Sequence, residues 1–237
     1  MEVRSFNFSK VGNKPEETED AFGINIGLSK FAIADGASDS IFSGQWAASL
    51  TNNFVNDKGL FNRDSEIIDF IKNSRKDWYG KINWKDLKWN VKNKAIKGAY
   101  STFLGLNLGN GPESDSTGYA IGDSCLFVIN DADMISFPLS SSKEFGIHPD
   151  LVWSGYGFPL NNKPFEPKVS MKTTTFRATK GTNVVLATDA MSKYIMDVGD
   201  ESFPVLWDNC QDREFFDRRR SDKSIKNDDV SAILISF

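Results

Sequence analysis

The chain has 237 residues, of which 40% are hydrophobic and 25% are charged, and its net charge is −4. This composition is typical of a globular domain with its own core, and it excludes a disordered or fibrous chain. The charge argues against an extended nucleic-acid-binding surface and leaves room only for a local basic patch. Two cysteines are too few for a disulfide framework and fit a reducing compartment. No apolar run approaches the about 18 residues of a membrane span. We therefore expect one cytoplasmic domain over residues 1–237, with no nucleic-acid or membrane partner.

Three strands and three helices are predicted in the first hundred residues. Alternating apolar residues predict strands over 1–9 and 21–27, and the apolar run 31–34 predicts a buried strand that pairs with 21–27 in a hairpin. Apolar residues at helical spacing predict helices over 43–55, 65–78 and 86–99, the first with Ser43 as its N-cap. We interpret their apolar stripes as faces that pack on a sheet.

The second half of the chain begins with short apolar runs separated by turn residues, a pattern that predicts an antiparallel meander. Its strands are expected at 100–108, 117–122, 125–130 and 134–138. Farther on, 183–188 predicts a central strand, 191–198, 202–210 and 212–221 predict helices, and 230–237 predicts a closing strand.

The segment 139–167 between these parts is irregular and rich in Ser, Gly, Pro and Asn. A connection of this length is uncommon unless it is functional or disordered. The segment holds aromatic residues at Phe145, Trp153, Tyr156, Phe158 and Phe165. Two interpretations stay open, a surface loop with a few packed rings and a flap that faces a substrate.

Acidic residues stand at the ends of five predicted strands. Such clusters of carboxylates commonly hold hard divalent cations through their oxygen atoms. Any one of these acids alone could be a turn or helix-capping residue. The prediction of a metal site rests on the repetition of an acid at five strand ends. The acidic positions are Glu19 and Asp20, Asp35, Asp123, Asp189, and Asp228 with Asp229.

The order of these motifs resembles that of the metal-dependent type 2C serine/threonine phosphatase (PPM) family. The motifs are Glu-Asp, Ala-Asp-Gly, Gly-Asp-Ser, Ala-Thr-Asp and Asn-Asp-Asp, and the resemblance covers residues 19–237. It implies an α+β fold, a four-layer αββα sandwich of two antiparallel sheets flanked by helices, with a variable flap around 139–167. It also implies hydrolysis of phosphoserine or phosphothreonine on a phosphoprotein by a monomeric enzyme with a separate cognate kinase.

The resemblance further implies two Mn²⁺ or Mg²⁺ ions, with a third, weaker ion, and assigns residues to them. Asp35 bridges the two ions, and the Gly36 carbonyl holds one of them. The other assignments are Asp189 and Asp228 at the first ion, Glu19 and Asp20 at the second, and Asp123 with Asp189 at the third. Two ions that share a water lower its pKa and supply hydroxide near neutral pH. Asp35, Asp189 and Asp228 are thus the predicted catalytic carboxylates.

The sequence departs from the family pattern at the phosphate-binding cation and at the general acid. No arginine precedes Glu-Asp closely, so Lys14 is the predicted phosphate-binding residue, with Arg4 as the alternative. No histidine follows Asp35 closely, and the lone His148 is interpreted as structural. Two other functions therefore stay open, a catalytically weak phosphatase-like binding module and a hydrolase of small phosphate esters.

Overall fold

The computed structural model describes residues 1–59, 61, 63–109, 111, 114–130, 133–146, 149–155 and 170–237. Within this part of the chain the strands are β1 Glu2–Phe8, β2 Asp20–Asn25, β3 Lys30–Asp35, β4 Tyr100–Ser101, β5 Phe103–Asn107, β6 Ser116–Ile121, β7 Cys125–Asn130, β8 Asp133–Phe137, β9 Val152–Trp153, β10 Lys172–Phe176, β11 Asn183–Ala187 and β12 Val230–Ser236. The α-helices are α1 Ser43–Asn56, α2 Asp64–Lys81, α3 Trp89–Ala95, α4 Asp189–Val198, α5 Ser202–Asn209 and α6 Arg213–Ser221. None of these helices is long and apolar enough to cross a lipid bilayer.

Ten of the strands form two five-stranded antiparallel sheets. The first has the order β1-β12-β11-β7-β8, and the second has the order β10-β6-β5-β3-β2. The short strands β4 and β9 pair separately. Sheets with two apolar faces must be covered on both, and here each sheet packs on the other and on its own helices.

Three apolar clusters fill the spaces between the layers. Between the sheets lie side chains of β3, β5, β7, β11 and β12, such as Phe31, Leu104 and Leu186, all with no exposed surface. Helices α4 to α6 cover the outer face of the first sheet, and α1 and α2 cover that of the second. The predicted α+β, four-layer αββα sandwich is confirmed.

Most predicted elements are found within one to three residues of their expected ends, including the β2–β3 hairpin and the central strand β11. The expected continuous meander is wrong, because β6 and β7 belong to different sheets. Residues 122–124 carry the chain across the sandwich, with Gly122 at a φ of 102°. The third helix is shorter than predicted, and β10 was not predicted although its Thr-rich sequence is typical of a strand.

The predicted N-cap Ser43 does not cap α1. Its hydroxyl instead donates to Glu19 Oε1 at 2.6 Å, and Phe42 takes the cap position with a φ of 63°. Ser43 therefore connects the start of α1 to the loop before β2.

The predicted flap falls only partly within the described residues. Tyr156, Phe158, Phe165 and His148 lie outside them. The described part contains β9, where Val152 has no exposed surface and its carbonyl accepts a hydrogen bond from Trp46 Nε1 at 2.8 Å. Residues 152–154 are therefore part of the packed structure beside α1.

Candidate active site

Five acidic residues converge at one edge of the sandwich. In antiparallel sheets the end of one strand lies beside the start of its neighbour, so Asp20 at the start of β2 pairs with Asp35 at the end of β3. By the same rule the end of β11 lies beside the start of β12, which brings Asp189 and Asp228 to this edge. Asp123 follows β6, which reaches the edge through its pairing with β5. Strand polarity thus collects the acids of each sheet, and the packing of the two sheets brings the two sets together.

The backbone of Asp35 is held by the segment between β4 and β5. Its amide donates to Thr102 Oγ1 at 3.0 Å, and its carbonyl accepts from the Thr102 amide at 2.8 Å. The Ser101 hydroxyl donates to the same carbonyl at 2.8 Å. Because the backbone groups are satisfied in this way, the Asp35 carboxylate is positioned by the sheet and stays available for other partners.

A hydrogen bond between the two sheets positions Asp20. Thr188, directly after β11, donates its hydroxyl to Asp20 Oδ2 at 2.9 Å, and the Ser231 amide donates to the same Thr188 oxygen at 3.3 Å. Asp20 is only 4% exposed. Thr188 therefore connects β11, β12 and β2 at the point where the acidic residues meet.

Glu19 and Asp229 are held in a hydrogen-bonded loop beside this cluster. Glu19 accepts hydrogen bonds from Ser43 and Ser38. Asp229, only 5% exposed, accepts from the Glu19 amide at 2.7 Å and from the Lys10 amide at 2.8 Å. Asp229 thus fixes the backbone that carries Glu19, a role the sequence did not indicate.

Lys226 places an ammonium group among the acids. Its Nζ lies 2.6 Å from Asp228 Oδ2 and 3.8 Å from Asp189 Oδ2. The lysine side chain is 65% exposed, whereas those of Asp189 and Asp228 are 26% and 29% exposed. A basic side chain therefore reaches from solvent onto two of the predicted metal ligands.

Burial and mutual repulsion shift the pKa values of these carboxyls upward. Burial raises the pKa of Asp35 well above its usual value, and the nearby charges of Asp20 and Asp189 raise it further. Burial, followed by the charge of Asp189, raises the pKa of Asp123 to about 6. Burial also raises the pKa of Asp189, an effect that Lys226 opposes. Such a cluster is stabilised by taking up protons or cations.

The donor chemistry fits hard divalent cations, because every candidate ligand at the edge is an oxygen atom. The described side chains are not arranged as a complete set of metal ligands. Among the described residues, no three His, Cys, Asp or Glu side chains are placed to hold a metal ion together. Loading would therefore require side chains to reorient, with Lys226 moving away from Asp189 and Asp228.

Neither of the two predicted phosphate-binding residues has an ion pair or side-chain hydrogen bond with these acids among the described contacts. Arg4 donates to the Trp207 carbonyl at 2.9 Å and lies over the Trp207 ring, with Glu2 as its ion-pair partner at 3.1 Å. Lys14 lies exposed in the loop after β1, where its amide donates to Glu17 at 2.7 Å. Lys10 and Lys226 are the basic residues found here in ion pairs with the predicted ligands, Lys10 at 4.0 Å from Glu19.

Comparison with known proteins gives the fold a context. No family model and no curated protein matches the sequence. Solved structures do match. PppA, a regulatory component of T6SS in Pseudomonas aeruginosa, aligns with a TM-score of 0.61 at 14% identity, covering 99% of this chain and 97% of its own. The serine/threonine phosphatase PstP of Mycobacterium tuberculosis aligns with a TM-score of 0.57 at 12% identity, covering 98% and 97%.

A third match is the serine/threonine phosphatase Stp1 of Staphylococcus aureus, with a TM-score of 0.57, 17% identity and coverage of 100% and 94%. This chain has the fold of the bacterial serine/threonine phosphatases. The family resemblance of the motifs is thus confirmed at the level of the fold, since identities of 12–17% carry no more than that. The acidic edge described above lies within this phosphatase fold.

Sequence reasoning missed Thr188 and Lys226 at the edge, and it missed the role of Asp229. Thr188 directly precedes Asp189, so the sequence predicts that it lies near the site. Its hydrogen bond to Asp20 depends on how the two sheets pack. Lys226 lies in a polar loop before β12, where a lysine is usually solvated. The support that Asp229 gives to Glu19 joins residues 210 positions apart, and no local pattern indicates it.

Proposed function

We propose that this chain is a metal-dependent phosphatase that hydrolyses phosphoserine or phosphothreonine on proteins. The observation that carries the proposal is the convergence of Asp20, Asp35, Asp123, Asp189 and Asp228 at one edge of a phosphatase fold, described above from the strand pairing. So many carboxylates in a partly buried cluster are unfavourable without compensating charge. Such a cluster lowers the stability of the folded protein unless cations bind to it, so it fits a cation-binding role.

The proposal gives the acids distinct tasks. Asp35, Asp189 and Asp228, with Glu19, Asp20 and Asp123, would hold Mn²⁺ or Mg²⁺, together with the Gly36 carbonyl. When bound, the ions supply an activated water for attack on phosphorus and neutralise charge on the phosphoryl oxygens. The hydrogen bonds from Ser43 to Glu19 and from Thr188 to Asp20 orient those two carboxylates before any ion binds.

The substrate phosphate brings two negative charges toward an acidic edge, so a basic side chain is needed beside it. Lys14 remains the residue that the sequence predicts for this task. Lys226 and Lys10 are alternatives, because both already contact the acids at the edge. None of the three has the bidentate geometry of an arginine, so each would act as a point charge.

The direct test is hydrolysis of p-nitrophenyl phosphate, measured in parallel with EDTA, Mg²⁺ and Mn²⁺. We expect turnover with either metal and none in EDTA. Full turnover in excess EDTA would overturn the metal-dependent mechanism. A phosphoserine peptide assayed in the same series separates a protein phosphatase from a hydrolase of small esters, because only the former prefers the peptide in kcat/KM.

A second candidate function is a phosphatase-like binding module with weak turnover. Two observations favour it, the Lys226 ammonium at 2.6 Å from Asp228 and the lack of a closed ligand set within the described residues. Isothermal titration with Mn²⁺ distinguishes the candidates. Metal binding without turnover of either substrate would support the binding module over the enzyme.

A further inference from the structure

The segment 81–98, which includes α3, is strongly basic in an acidic chain. It holds six lysines and one acidic residue, Asp86, while the remainder of the chain has 22 basic and 31 acidic residues, a net charge of −9. All six lysines are exposed. They are Lys81, Lys85, Lys88, Lys92, Lys94 and Lys97. The charge distribution is therefore asymmetric, with a local positive surface on a negative molecule.

Within the part of the chain that the structure describes, only one of the six lysines has a carboxylate partner. Lys81 pairs with Asp77 at 2.7 Å. For the other five, the described residues supply no carboxylate within ion-pair distance. Unpaired surface cations of one sign raise the local positive potential, and they attract an anionic partner without first breaking a bond inside the protein.

Lys94 and Lys97 line a groove of about 560 Å³ together with the loop after β3. The remaining lining includes Ala37, Ser40, Ile41, Gly98, Tyr100 and Leu151. Tyr100 is 42% exposed and stacks against Trp153, with 6.5 Å between the ring centroids. The groove thus combines two lysines with apolar and aromatic lining residues, as peptide-binding surfaces commonly do.

The groove is continuous with the candidate active site. The Ala37 amide donates to the Tyr100 carbonyl at 2.9 Å, and the Thr102 amide donates to the Asp35 carbonyl at 2.8 Å. Ala37 and Tyr100, which line the groove, are therefore two residues away from Asp35 and Thr102, respectively. Two extended residues span about 7 Å, so the groove begins within about that distance of Asp35.

We propose that this groove binds the acidic flank of a phosphoprotein substrate while its phosphorylated residue lies at the acidic edge. The inference rests on the proposed phosphatase function and specifies its substrate class. An extended peptide advances about 3.3 Å per residue. Glutamates or aspartates two to four positions from the phosphorylated residue would then lie beside Lys94 and Lys97.

A peptide fits this groove better than a nucleic acid does. Asp39 also lines the groove and is exposed. A nucleic-acid backbone carries a charge at every step and would bring one against Asp39. A peptide can place its few acids beside the lysines and an apolar side chain against the apolar lining residues. The groove therefore selects the position of negative charge as well as its sign.

The test uses fluorescence anisotropy with two labelled peptides that carry a non-hydrolysable phosphonate analogue of phosphoserine. One peptide has glutamates two to four positions away on both sides, and the other has alanines there. We expect the wild-type protein to bind the acidic peptide about tenfold more tightly at low salt, with the preference reduced at high salt. Equal affinity for both peptides would overturn the proposal, whether or not the protein turns over any substrate.

Substitutions at the groove test whether its lysines cause the preference for the acidic peptide. Lys94→Glu with Lys97→Glu should abolish it, and the milder pair Lys94→Gln with Lys97→Gln should reduce it. Asp39→Asn should strengthen binding of the acidic peptide. The matched control is Lys180→Glu with Lys193→Glu, which makes the same change in net charge at two exposed lysines outside the groove. The control should keep the preference, and its loss there would show a general charge effect and refute the groove.

Two further readouts separate this inference from the proposed function. Hydrolysis of p-nitrophenyl phosphate should be unchanged in the Lys94/Lys97 variants, because that substrate has no flanking residues. A single-stranded RNA of equal charge should compete weakly for the acidic peptide. Equal competition by the RNA would show a general polyanion surface and overturn peptide recognition. Absence of p-nitrophenyl phosphate turnover in the wild type would refute the phosphatase and leave the binding result to decide the groove.

Discussion

At the scale of single residues, Asp35 is where the electrostatics of the site are concentrated. Its backbone is fixed by Ser101 and Thr102 while its side chain faces the other acids. Because the sheet holds its backbone in place, the Asp35 carboxylate cannot move away from the neighbouring carboxylates that repel it. Asp35 is therefore the position at which removing one charge should change metal binding and stability in opposite directions.

We expect Asp35→Asn to lower Mn²⁺ affinity and turnover by about 100-fold or more, because an amide replaces one carboxylate among the ligands. In EDTA the same variant should melt at an equal or higher temperature than wild type, because one repelling charge is gone. Calorimetric titration and thermal melts measure the two effects. Asp197→Asn, an exposed change on α4, is the control. Wild-type Mn²⁺ affinity in Asp35→Asn would mean that the site is elsewhere.

Lys226 and Lys14 are the two alternative candidates for the residue that binds the substrate phosphate. We expect Lys226→Met to raise KM for a phosphoserine peptide and Ki for inorganic phosphate several-fold, with a smaller change in kcat, the pattern for lost ground-state binding. Lys14→Ala should have a smaller effect of the same kind. Lys223→Met, an exposed lysine in the same loop as Lys226, is the matched control. A larger effect in Lys14→Ala, with Lys226→Met unchanged, would return the role to Lys14.

At the scale of elements, the site depends on how the end of β3 meets the start of α1. Gly36 follows Asp35 at this junction, where a Cβ atom would lie 2.6 Å from the Ser43 carbonyl carbon and 2.8 Å from the Glu19 carbonyl oxygen. Both neighbours are backbone atoms, which cannot move away as a flexible side chain can. The strand end, the helix start and the Glu19 loop are therefore packed around a glycine.

We expect Gly36→Ala to destabilise the protein by about 1–3 kcal/mol, the usual cost of overpacking, and to lower metal affinity because Asp35 and Glu19 both shift. Chemical denaturation measures the first effect and Mn²⁺ titration the second. The control is Gly80→Ala on α2, where nothing lies within 4 Å of an added Cβ. That change should be neutral or stabilise by about 0.5–1 kcal/mol. Unchanged stability in Gly36→Ala would show that the junction can relax.

At the scale of the whole molecule, the acidic edge makes folding stability depend on pH. The pKa of Asp123 is about 6 in the folded protein against a usual value of 3.8. The folded state therefore holds a proton that the unfolded state has released between these values. This contribution to stability is present in full below pH 3.8 and is lost as the pH rises through about 6.

In EDTA, we expect the melting temperature to fall between pH 5 and pH 7 more steeply in wild type than in Asp123→Asn, which lacks this titrating carboxyl. Added Mn²⁺ should raise the melting temperature more at pH 7 than at pH 5, since ionised carboxylates bind the cation and ligands stabilise the state that binds them. Thermal melts of both proteins across this pH range measure the difference. Parallel curves for the two proteins in EDTA would contradict the raised pKa of Asp123.

The sequence by itself determined the elements and the positions of the acids along them. Periodicity and turn residues are local, so the helices α1 and α2 and the β2–β3 hairpin could be predicted from neighbouring residues alone. The placement of Asp35, Asp123 and Asp189 at strand ends followed in the same way. Strand polarity within one sheet then places Asp35 and Asp123 at the same edge.

Only the tertiary structure decided which groups meet across the sandwich. The crossing between β6 and β7, the bond from Thr188 to Asp20, and the approach of Lys226 to Asp228 and Asp189 all join parts of the chain whose contact depends on layer packing. The basic groove beside Asp35 likewise required α3 and the loop after β3 to be placed together. Sequence patterns report which face of an element is buried, whereas the partner on that face is set by the packing of all layers at once.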